Sequence, residues 1–459
     1  MKSICIIGAS YLWCRTLVGD LLACFADEAL DIRFLDLYEE PARICKEWGE
    51  AASKASGREH DRYHAFTSRG EALSGADAVL ITISTGGLDA MSHDLAIPER
   101  YGIYATVGDT AGPGGWSRSI RNIPVFMQFA EDFRKYCPQA FIANYTNPMS
   151  ALTATLAHLT DNPVSGFCHA YFETKDVIQK LFNLEDWSHI SLEIAGMNHF
   201  TWVTDFKIKG KSGYPILREM IGSGSLRDIL PSRSAEEIGI YSSRNLFAVL
   251  YDTFGYLPYP ADRHTSEFLS FTLSGNPSMT KKPDKNGDML DVVDYYQITR
   301  TPLYIRTKNA ADGKQRMLES THALNSGSEK AAPKSRETGA DMIWAYLNNK
   351  TMMDAVNTLN IGQIEGLPRG ACVETMGVVD GYGVRPVMVR AVPEHLLEIM
   401  RPQAINTKWI VEGMLNGDMK TVLYALYNDP QCKHLKLDQI KNMANELIEA
   451  NRNFVDLPF

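Results

Sequence analysis

The feature that most constrains the fold is the pattern of the first 36 residues. An apolar run at 3–7 stops at Gly8, and residues 11–25 then carry apolar side chains at three-to-four spacing. This predicts a short strand followed by a helix. A second apolar run, at 32–36, ends in Asp36. A strand, a glycine turn, a helix and a strand that ends in an acidic residue form the opening of a dinucleotide-binding fold.

The same alternation continues to about residue 170. The predicted elements are, in order, helix 40–56, strand 63–66, strand 76–84, helix 117–136, strand 139–143 and helix 149–159. Alternation of this kind predicts an α/β fold in which a right-handed, doubly wound parallel sheet is covered by helices.

The pattern changes after residue 190. The predicted segments are strands within 190–210, helices at 214–254 and 335–358, a surface loop at 273–290, a β-rich stretch at 371–389, and helices at 393–428 and 433–451. We therefore predict two domains: an NAD-binding Rossmann-like domain over 1–190, and a mixed α+β domain for catalysis, substrate binding and oligomerisation over 191–459.

Charge and cysteine usage exclude several classes of function. The 459 residues carry 46 basic and 55 acidic side chains, a balance of −9, with no block of Lys or Arg. Such a chain is a poor candidate for binding nucleic acid or an anionic membrane surface. No apolar stretch reaches the roughly 18 residues that a membrane span needs. The eight cysteines are scattered without a CxxC pair, which is typical of a reduced, cytoplasmic protein.

The candidate nucleotide site begins at Gly8, Ala9 and Ser10, where only the first glycine of the usual motif is present. Asp36 can accept hydrogen bonds from both ribose hydroxyls and would repel a 2′-phosphate, which favours NAD over NADP. A Rossmann-like domain that binds no nucleotide is the alternative.

Three further loops follow predicted strands. They are STGG at 84–87 with Ser84 and Gly86, the glycine-dense GDTAGPGG at 108–115, and NYTNPMS at 144–150 with Asn144 and Asn147. Ligands bind at the strand ends of such sheets, and glycine lets the backbone approach a ligand closely. The alternatives are a flexible surface loop and an ordinary Asn-Pro turn.

Two short breaks suggest a metal site. Cys168 and His169 lie in GFCHA, and His199 lies in GMNHF. Thiolate and imidazole bind borderline metals such as Zn, Mn, Fe and Co. Core packing is the alternative, because a lone buried cysteine is more often a small core residue.

A further motif, ADRHTSEF, brings together Asp262, Arg263, His264 and Glu267, and Tyr259 lies close to it in the sequence. The alternative is the capped start of a helix.

These motifs, in this order, are similar to those of glycoside hydrolase family 4, over most of the chain. GPGG, NPM, CH and NHF carry the resemblance, together with Gly8–Ser10, Asp36 and VNTLNIGQIEGLP at 356–368. The fuller forms ERYGIYATVGDT, NYTNPMS, HFTW and DRHTSEF most resemble the α-galacturonidase branch.

The resemblance implies an enzyme that holds NAD and a divalent metal, usually Mn. In this family the sugar C3 is transiently oxidised by NAD, the C2 proton is removed, the C1–O bond breaks by elimination, and water then adds back. Such NAD-dependent glycosidases depart from the usual pair of carboxylates.

The resemblance also implies roles for single residues. Cys168 and His199 would bind the metal. Asp262 would be the base, with Tyr259 as an alternative, and His169 would donate a proton or contact the substrate. Asn147 and His264 would bind substrate. Apart from the resemblance, the carboxylate of a uronate needs a cation, and Arg263, Arg118 and Arg121 are available because arginine can bind both carboxylate oxygens. Gly8, Ala9, Ser10, Asp36, Ser84, Gly86 and Asn144 would bind NAD.

The expected substrate is an α-galacturonide or a related hexuronide, and the expected assembly is a homodimer or homotetramer. Neutral α-galactosides, α-glucosides and 6-phospho-α-glucosides are alternatives within the family. Outside it, the alternatives are an NAD-dependent dehydrogenase of hydroxy acids or sugars, and a nucleotide-binding regulatory protein without turnover.

Overall fold

The computed structural model describes residues 1–231, 243–275, 277–284, 286–293, 295–330 and 333–454. Its strands are β1 Lys2–Ile7, β2 Leu30–Leu35, β3 Arg62–Phe66, β4 Ala78–Ile81, β5 Phe141–Asn144, β6 Val164–Gly166, β7 Ile190–Met197, β8 Phe200–Ile208, β9 Lys211–Ser212, β10 Met279–Pro283, β11 Met289–Val293, β12 Ile298–Arg300, β13 Met352–Leu359, β14 Cys372–Asp380 and β15 Gly383–Pro386.

The α-helices fall between and after these strands. They are α1 Cys14–Cys24, α2 Glu39–Ala55, α3 Arg69–Leu73, α4 Gly87–Arg100, α5 Gly112–Tyr136, α6 Met149–Leu159, α7 Ala170–Leu181, α8 Gly213–Ile221, α9 Leu226–Ile229, α10 Asn245–Phe254, α11 Asp262–Thr265, α12 Leu303–Ser326, α13 Gly339–Leu347, α14 Glu394–Asn416, α15 Met419–Asn428 and α16 Leu437–Ala450.

The first six strands form the parallel sheet that the sequence predicts. Their order is β3-β2-β1-β4-β5-β6, the doubly wound order in which the chain reverses direction across the sheet at β1 and β4. Ile4 of β1 is paired with Ile32 of β2 on one side and with Ala78 of β4 on the other. The Rossmann-like fold class is thereby confirmed.

Helices cover both faces of this sheet. On one face α5, α14 and α16 contribute buried side chains such as Phe126 and Val411 to a cluster that includes Ile7 and Ile81. On the other face α1, α2 and α13 pack through Val18 and other side chains around Ile4 and Ile32. Burial on both faces explains why these strands read as continuous apolar runs.

The sheet continues into the second half of the chain. Strand β13 pairs with β6 in antiparallel fashion, with Asn357 opposite Gly166, and β14 lies between β13 and β7. Late strands therefore extend a sheet that begins at residue 2. The division into domains at residue 190 stays a prediction.

Three local predictions were wrong. The stretch 335–358 is not one helix: α13 ends at Leu347 and β13 follows from Met352. Pairing with β14 and β6 outweighs the local helix preference of its Met, Ala and Leu residues. The predicted loop at 273–290 contains β10, which pairs with β11 in a small antiparallel sheet. The predicted helix 214–254 is interrupted, and its residues 232–242 lie outside the described residues.

The fold brings several loops to one edge. The carboxyl ends of β1, β4, β5 and β6 are followed by Gly8, the 82–86 loop, the 145–148 loop and Cys168. In the described part of the chain, no helix is long and apolar enough to cross a membrane.

Candidate active site

The turn after β1 requires glycine. Gly8 has φ +88°, and a Cβ there would lie 2.5 Å from the carbonyl oxygen of Thr82. The carboxylate of Asp36 accepts hydrogen bonds from the N–H groups of Ala9 (2.9 Å) and Tyr38 (3.1 Å). The acidic residue at the end of β2 is thus held against the Gly8 turn, an arrangement that fits a ribose beside a dinucleotide phosphate.

The other residues predicted to bind the nucleotide lie at the same edge of the sheet but differ in exposure. Ser84 is exposed, and its hydroxyl accepts a hydrogen bond from Arg118 at 3.1 Å. Gly86, at φ +76°, directly precedes helix α4. Asn144 is fully buried, accepting from the N–H of Thr146 and donating to the hydroxyl of Thr153. In this structure the Asn144 amide shapes its own loop, and its contact with a cofactor stays a prediction.

A metal-binding geometry centres on His199. One ligand atom from each of Asp109, His199 and His264 lies within 4.8 Å of the other two. His199 sits in the two-residue turn between β7 and β8 with φ +66°, and its Nδ1 lies 3.0 Å from the hydroxyl of Thr110. A carboxylate and two imidazoles are a donor set that suits Mn, Fe, Co or Zn.

The charges in this set favour a bound cation. Burial alone would raise the pKa of Asp109, but Arg118 and the two imidazoles lower it to about 2. Burial lowers the pKa of His199 to about 4 and that of His264 well below its ordinary value. The Nδ1 atom of His264 is buried and has no hydrogen-bond partner among the described residues. At neutral pH the set is one carboxylate with two neutral imidazoles, the protonation that metal binding requires.

Cys168 lies close to this set without joining it. Within the described residues its sulfur is not among the mutually close ligand atoms, although its half-buried side chain packs against Tyr259 and Ala261. The ring of Tyr259 in turn stacks on His199 with centroids 5.9 Å apart. His199 therefore lies in a set that could hold a metal, and metal ligation by His199 and by Cys168 stays a prediction.

The two residues considered for the base are both buried. The carboxylate of Asp262 accepts hydrogen bonds from the N–H groups of Leu246 (3.2 Å) and Phe247 (3.0 Å), at the start of α10. Tyr259 is 3% exposed and donates its backbone N–H to Thr201. Two backbone donors and a helix N-terminus stabilise the ionised form of Asp262. Its role as base stays a prediction.

Asn147 and Arg118 connect the nucleotide loops to the metal-binding set. The amide of Asn147 donates to Asp109 at 3.2 Å, while Arg118 donates to the backbone carbonyl of Asn147 at 2.9 Å. Both predicted substrate residues therefore lie beside Asp109. Arg121, one turn along α5, is instead bound by the buried carboxylate of Asp94.

Two arginines meet at one carbonyl. Arg263 donates to the carbonyl of Thr106 (3.3 Å) and the hydroxyl of Thr301 (2.8 Å), and Arg306 donates to the same Thr106 carbonyl at 3.1 Å. Burial lowers the pKa of Arg263 to about 10, so the guanidinium stays charged at neutral pH. Sequence reasoning missed Arg306 because it lies in a polar helix with no motif around it.

Sequence reasoning also missed Asp109, although its loop was noted for its glycines. Glu267 fixes that loop: its carboxylate accepts from the N–H groups of Val107 (2.7 Å) and Gly108 (2.8 Å). Burial raises the pKa of Glu267 to about 7. The detectable signal was an acidic residue directly after Gly108 in a glycine-dense stretch. The expectation that this stretch follows a strand was wrong, because it lies between α4 and α5 and its residues 112–115 are the start of α5.

His169 has a separate set of contacts. Its Nδ1 forms an ion pair with Glu337, and its ring stacks on Trp13 at 5.5 Å and packs near Phe172 at 5.3 Å. Burial lowers the pKa of His169, but the contact with Glu337 outweighs that effect and the net pKa is raised. Neither Glu337 nor Trp13 was singled out from the sequence.

Models of two parts of one enzyme family match this chain. The model described as family 4 glycosyl hydrolase matches residues 3–184, and the model of the family 4 glycosyl hydrolase C-terminal domain matches 194–432. The chain belongs to glycosyl hydrolase family 4. Its membership confirms the resemblance seen in the motifs and makes the chain a glycosidase.

Relatives and solved structures agree with this family. An α-galacturonidase of Lachnoclostridium phytofermentans is 30% identical over 98% of this chain and 95% of its own length. An α-galacturonidase of Bacillus subtilis is also 30% identical, over 96% of each chain. The crystal structure of lplD from Bacillus subtilis, named as a candidate glucosidase, superposes with a TM-score of 0.83 at 28% identity, covering 97% of this chain and 99% of lplD.

A more distant structure shares the fold. A 6-phospho-α-glucosidase from gut microorganisms, solved in complex with NAD and Mn²⁺, has a TM-score of 0.80 and 18% identity over 99% of both chains. At that identity the likeness supports the fold of the family 4 enzyme and nothing narrower.

Proposed function

We propose that this family 4 glycosidase hydrolyses α-glycosides of hexuronic acids, with an α-galacturonide as substrate. The observation that carries the proposal is the pair of arginines on the Thr106 carbonyl. Both guanidinium groups donate to Thr106, which precedes Asp109 by three residues, and Arg263 directly precedes His264. A planar carboxylate beside the metal-binding set would meet two guanidinium groups there. The α-galacturonidase relatives support the same substrate.

We propose NAD and a divalent metal, Mn, as the cofactors. The Gly8 turn with Asp36 would hold the dinucleotide, and Asp109, His199 and His264 would hold the metal with Cys168 as a further predicted ligand. When bound, NAD accepts hydride from the sugar C3 and the metal acts as a Lewis acid on the sugar oxygens. An enzyme with the same fold was solved in complex with NAD and Mn²⁺, so a fold of this kind can hold both groups.

Side chains of the protein would carry out the proton transfers and orient the sugar. Asp262, or Tyr259 in its place, would remove the C2 proton. His169 would donate a proton to the departing glycosidic oxygen, and its side chain is 39% exposed, so a ligand can reach the ring. Asn147, bound to Asp109, would orient a sugar hydroxyl beside the metal-binding set.

A substrate panel tests this function. The purified protein is assayed with NAD, Mn²⁺ and a thiol reductant on p-nitrophenyl α-galacturonide, α-glucuronide, α-galactoside and 6-phospho-α-glucoside. We expect cleavage of the galacturonide only when both cofactors are present, and no net accumulation of NADH. Cleavage of the phosphoglucoside alone would contradict the uronide assignment, and NADH accumulating in step with substrate would indicate a dehydrogenase.

We also infer a cytoplasmic homo-oligomer, either a dimer or a tetramer. All eight cysteines are described as free thiols, which supports a reducing compartment. Light scattering on the eluted protein would give the assembly mass. A single species of about 51 kDa would contradict the oligomer.

A further inference from the structure

Trp13 lies between the nucleotide loop and the predicted proton donor. It follows the Gly8–Ser10 turn and directly precedes α1, and its backbone N–H lies 3.4 Å from the hydroxyl of Ser10. Its ring stacks on His169 with an interplanar angle of 19°. A residue of the nucleotide loop thus forms one wall of the His169 site.

Glu337 approaches the same ring from another part of the chain. Its side chain is 8% exposed and forms the ion pair with His169 Nδ1. The segment before α13 that carries it is anchored at both sides: Ser335 donates its backbone N–H and its hydroxyl to Asp20, and Lys334 pairs with Asp341 at 2.7 Å. Glu337 is therefore a fixed partner for Nδ1, and Nε2 is the nitrogen to which the proposed function assigns the substrate.

We propose that Glu337 and Trp13 are positioning residues that fix the ring of His169, one through Nδ1 and the other through its face. This rests on the proposed function, in which His169 Nε2 gives its proton to the glycosidic oxygen. As the base removes the C2 proton, the C2–H electron pair forms the C1–C2 double bond. The C1–O pair stays on the oxygen, which the His169 proton neutralises, and the aglycone leaves as an alcohol.

This arrangement predicts a dependence on the leaving group. An alkoxide needs a proton as it departs, whereas p-nitrophenolate departs without one. Displacing the His169 ring should therefore slow the cleavage of methyl α-galacturonide much more than the cleavage of p-nitrophenyl α-galacturonide. If Glu337 or Trp13 had a merely structural role, its replacement would slow the cleavage of both substrates equally.

The test uses the full-length protein loaded with NAD and Mn²⁺. In Glu337→Gln and Trp13→Leu we expect kcat on the methyl glycoside to fall by about 10- to 100-fold, part of the roughly 10²- to 10⁴-fold that general acid catalysis supplies. On the p-nitrophenyl glycoside the fall should stay within about 3-fold, as for a residue outside proton transfer. Trp13→Phe, which keeps an aromatic face, should restore most of the rate.

Glu47→Gln is the matched control. It makes the same Glu-to-Gln change in an exposed ion pair with Arg43 on α2, outside the segment that holds Glu337. We expect its rates on both substrates to equal those of the unchanged protein. Equal losses on the two substrates in Glu337→Gln, or no loss in either variant, would overturn the proposal.

Crystal structures of the same variants give a readout that needs no substrate. We expect the His169 ring to turn away from its original plane in Glu337→Gln and in Trp13→Leu. A ring that keeps its place in both variants would overturn the proposal even if the enzyme cleaves no galacturonide. Inactivity of the unchanged protein on both galacturonides would refute only the proposed substrate.

Discussion

The imidazole rings of His199 and His264 stack with their centroids 3.9 Å apart and their planes 29° from parallel. One ring comes from the turn between β7 and β8, and the other from the short helix α11. Because burial keeps both rings neutral at neutral pH, their lone pairs are available to a cation beside Asp109. The contact joins two segments that are 65 residues apart in the sequence.

The first prediction concerns metal affinity. His264→Ala removes one of two neutral imidazoles, so Mn²⁺ affinity measured by calorimetry should fall by more than about 100-fold, since residues that only orient ligands already contribute about 10- to 100-fold. His158→Ala, an exposed histidine on α6, is the control and should bind normally. Unchanged affinity in His264→Ala with a large loss in Cys168→Ser would show that the metal is held without His264.

The second prediction concerns substrate charge. Arg263→Gln keeps hydrogen-bond donors but removes the buried positive charge, so kcat/KM on the galacturonide should fall by roughly 10²-fold or more, about 3 kcal/mol for one charged partner. Activity on the neutral galactoside should change much less. The measured quantity is the ratio of the two kcat/KM values. An unchanged ratio would mean that the carboxylate is bound elsewhere.

The third prediction concerns the buried pair of Asp94 and Arg121, whose side chains are both 0% exposed. Asp94→Ala leaves a guanidinium without its carboxylate, so the free energy of unfolding in urea should fall by about 3–5 kcal/mol. Glu47→Ala breaks the exposed pair with Arg43 on α2 and should cost only about 0.5 kcal/mol. Similar losses of unfolding free energy in the two variants would contradict the larger cost of breaking the buried ion pair.

The fourth prediction concerns pH and Asp429, which accepts hydrogen bonds from the N–H of Gln431 and the amide of Gln403. Burial raises its pKa from 3.8 to about 6. The folded state therefore binds a proton more tightly than the unfolded chain, and this contribution to stability grows as pH falls from 6 to 4 and is lost above pH 6.

Asp429→Asn removes that dependence. Relative to the variant, the unchanged protein should gain about 1.4 kcal/mol of unfolding free energy for each pH unit between those two pKa values. Asp161→Asn, at an exposed aspartate, is the control for general effects of charge. A constant difference between pH 7 and pH 4 would contradict the raised pKa.

The first half of the fold could be predicted because its signals are local. The turn at Gly8, the apolar runs and the intervening helical periodicity each lie within about 15 residues. Strand β13 could not be predicted in the same way, because its partners Gly166 and Glu374 are far away in sequence. Its residues favour a helix until those partners are present.

The residues of the candidate site fall into the same two groups, those with a local sequence signal and those without one. His199, Asn147, Arg118 and Arg263 could be proposed from the sequence because each lies in a recognisable motif, and their roles stay predictions. Asp109 was overlooked within a loop noted for glycine, and Arg306 and Glu337 have no motif at all. Only the folded chain brings Arg306 to Thr106 and Glu337 to His169.

We infer that the glycosidic bond breaks by elimination after a proton leaves C2. The direct measurement is turnover of the α-galacturonide with NAD and Mn²⁺ in deuterium oxide, followed by NMR of the released sugar. We expect deuterium at C2 of the galacturonic acid. Complete hydrolysis with only ordinary hydrogen at C2 would contradict it.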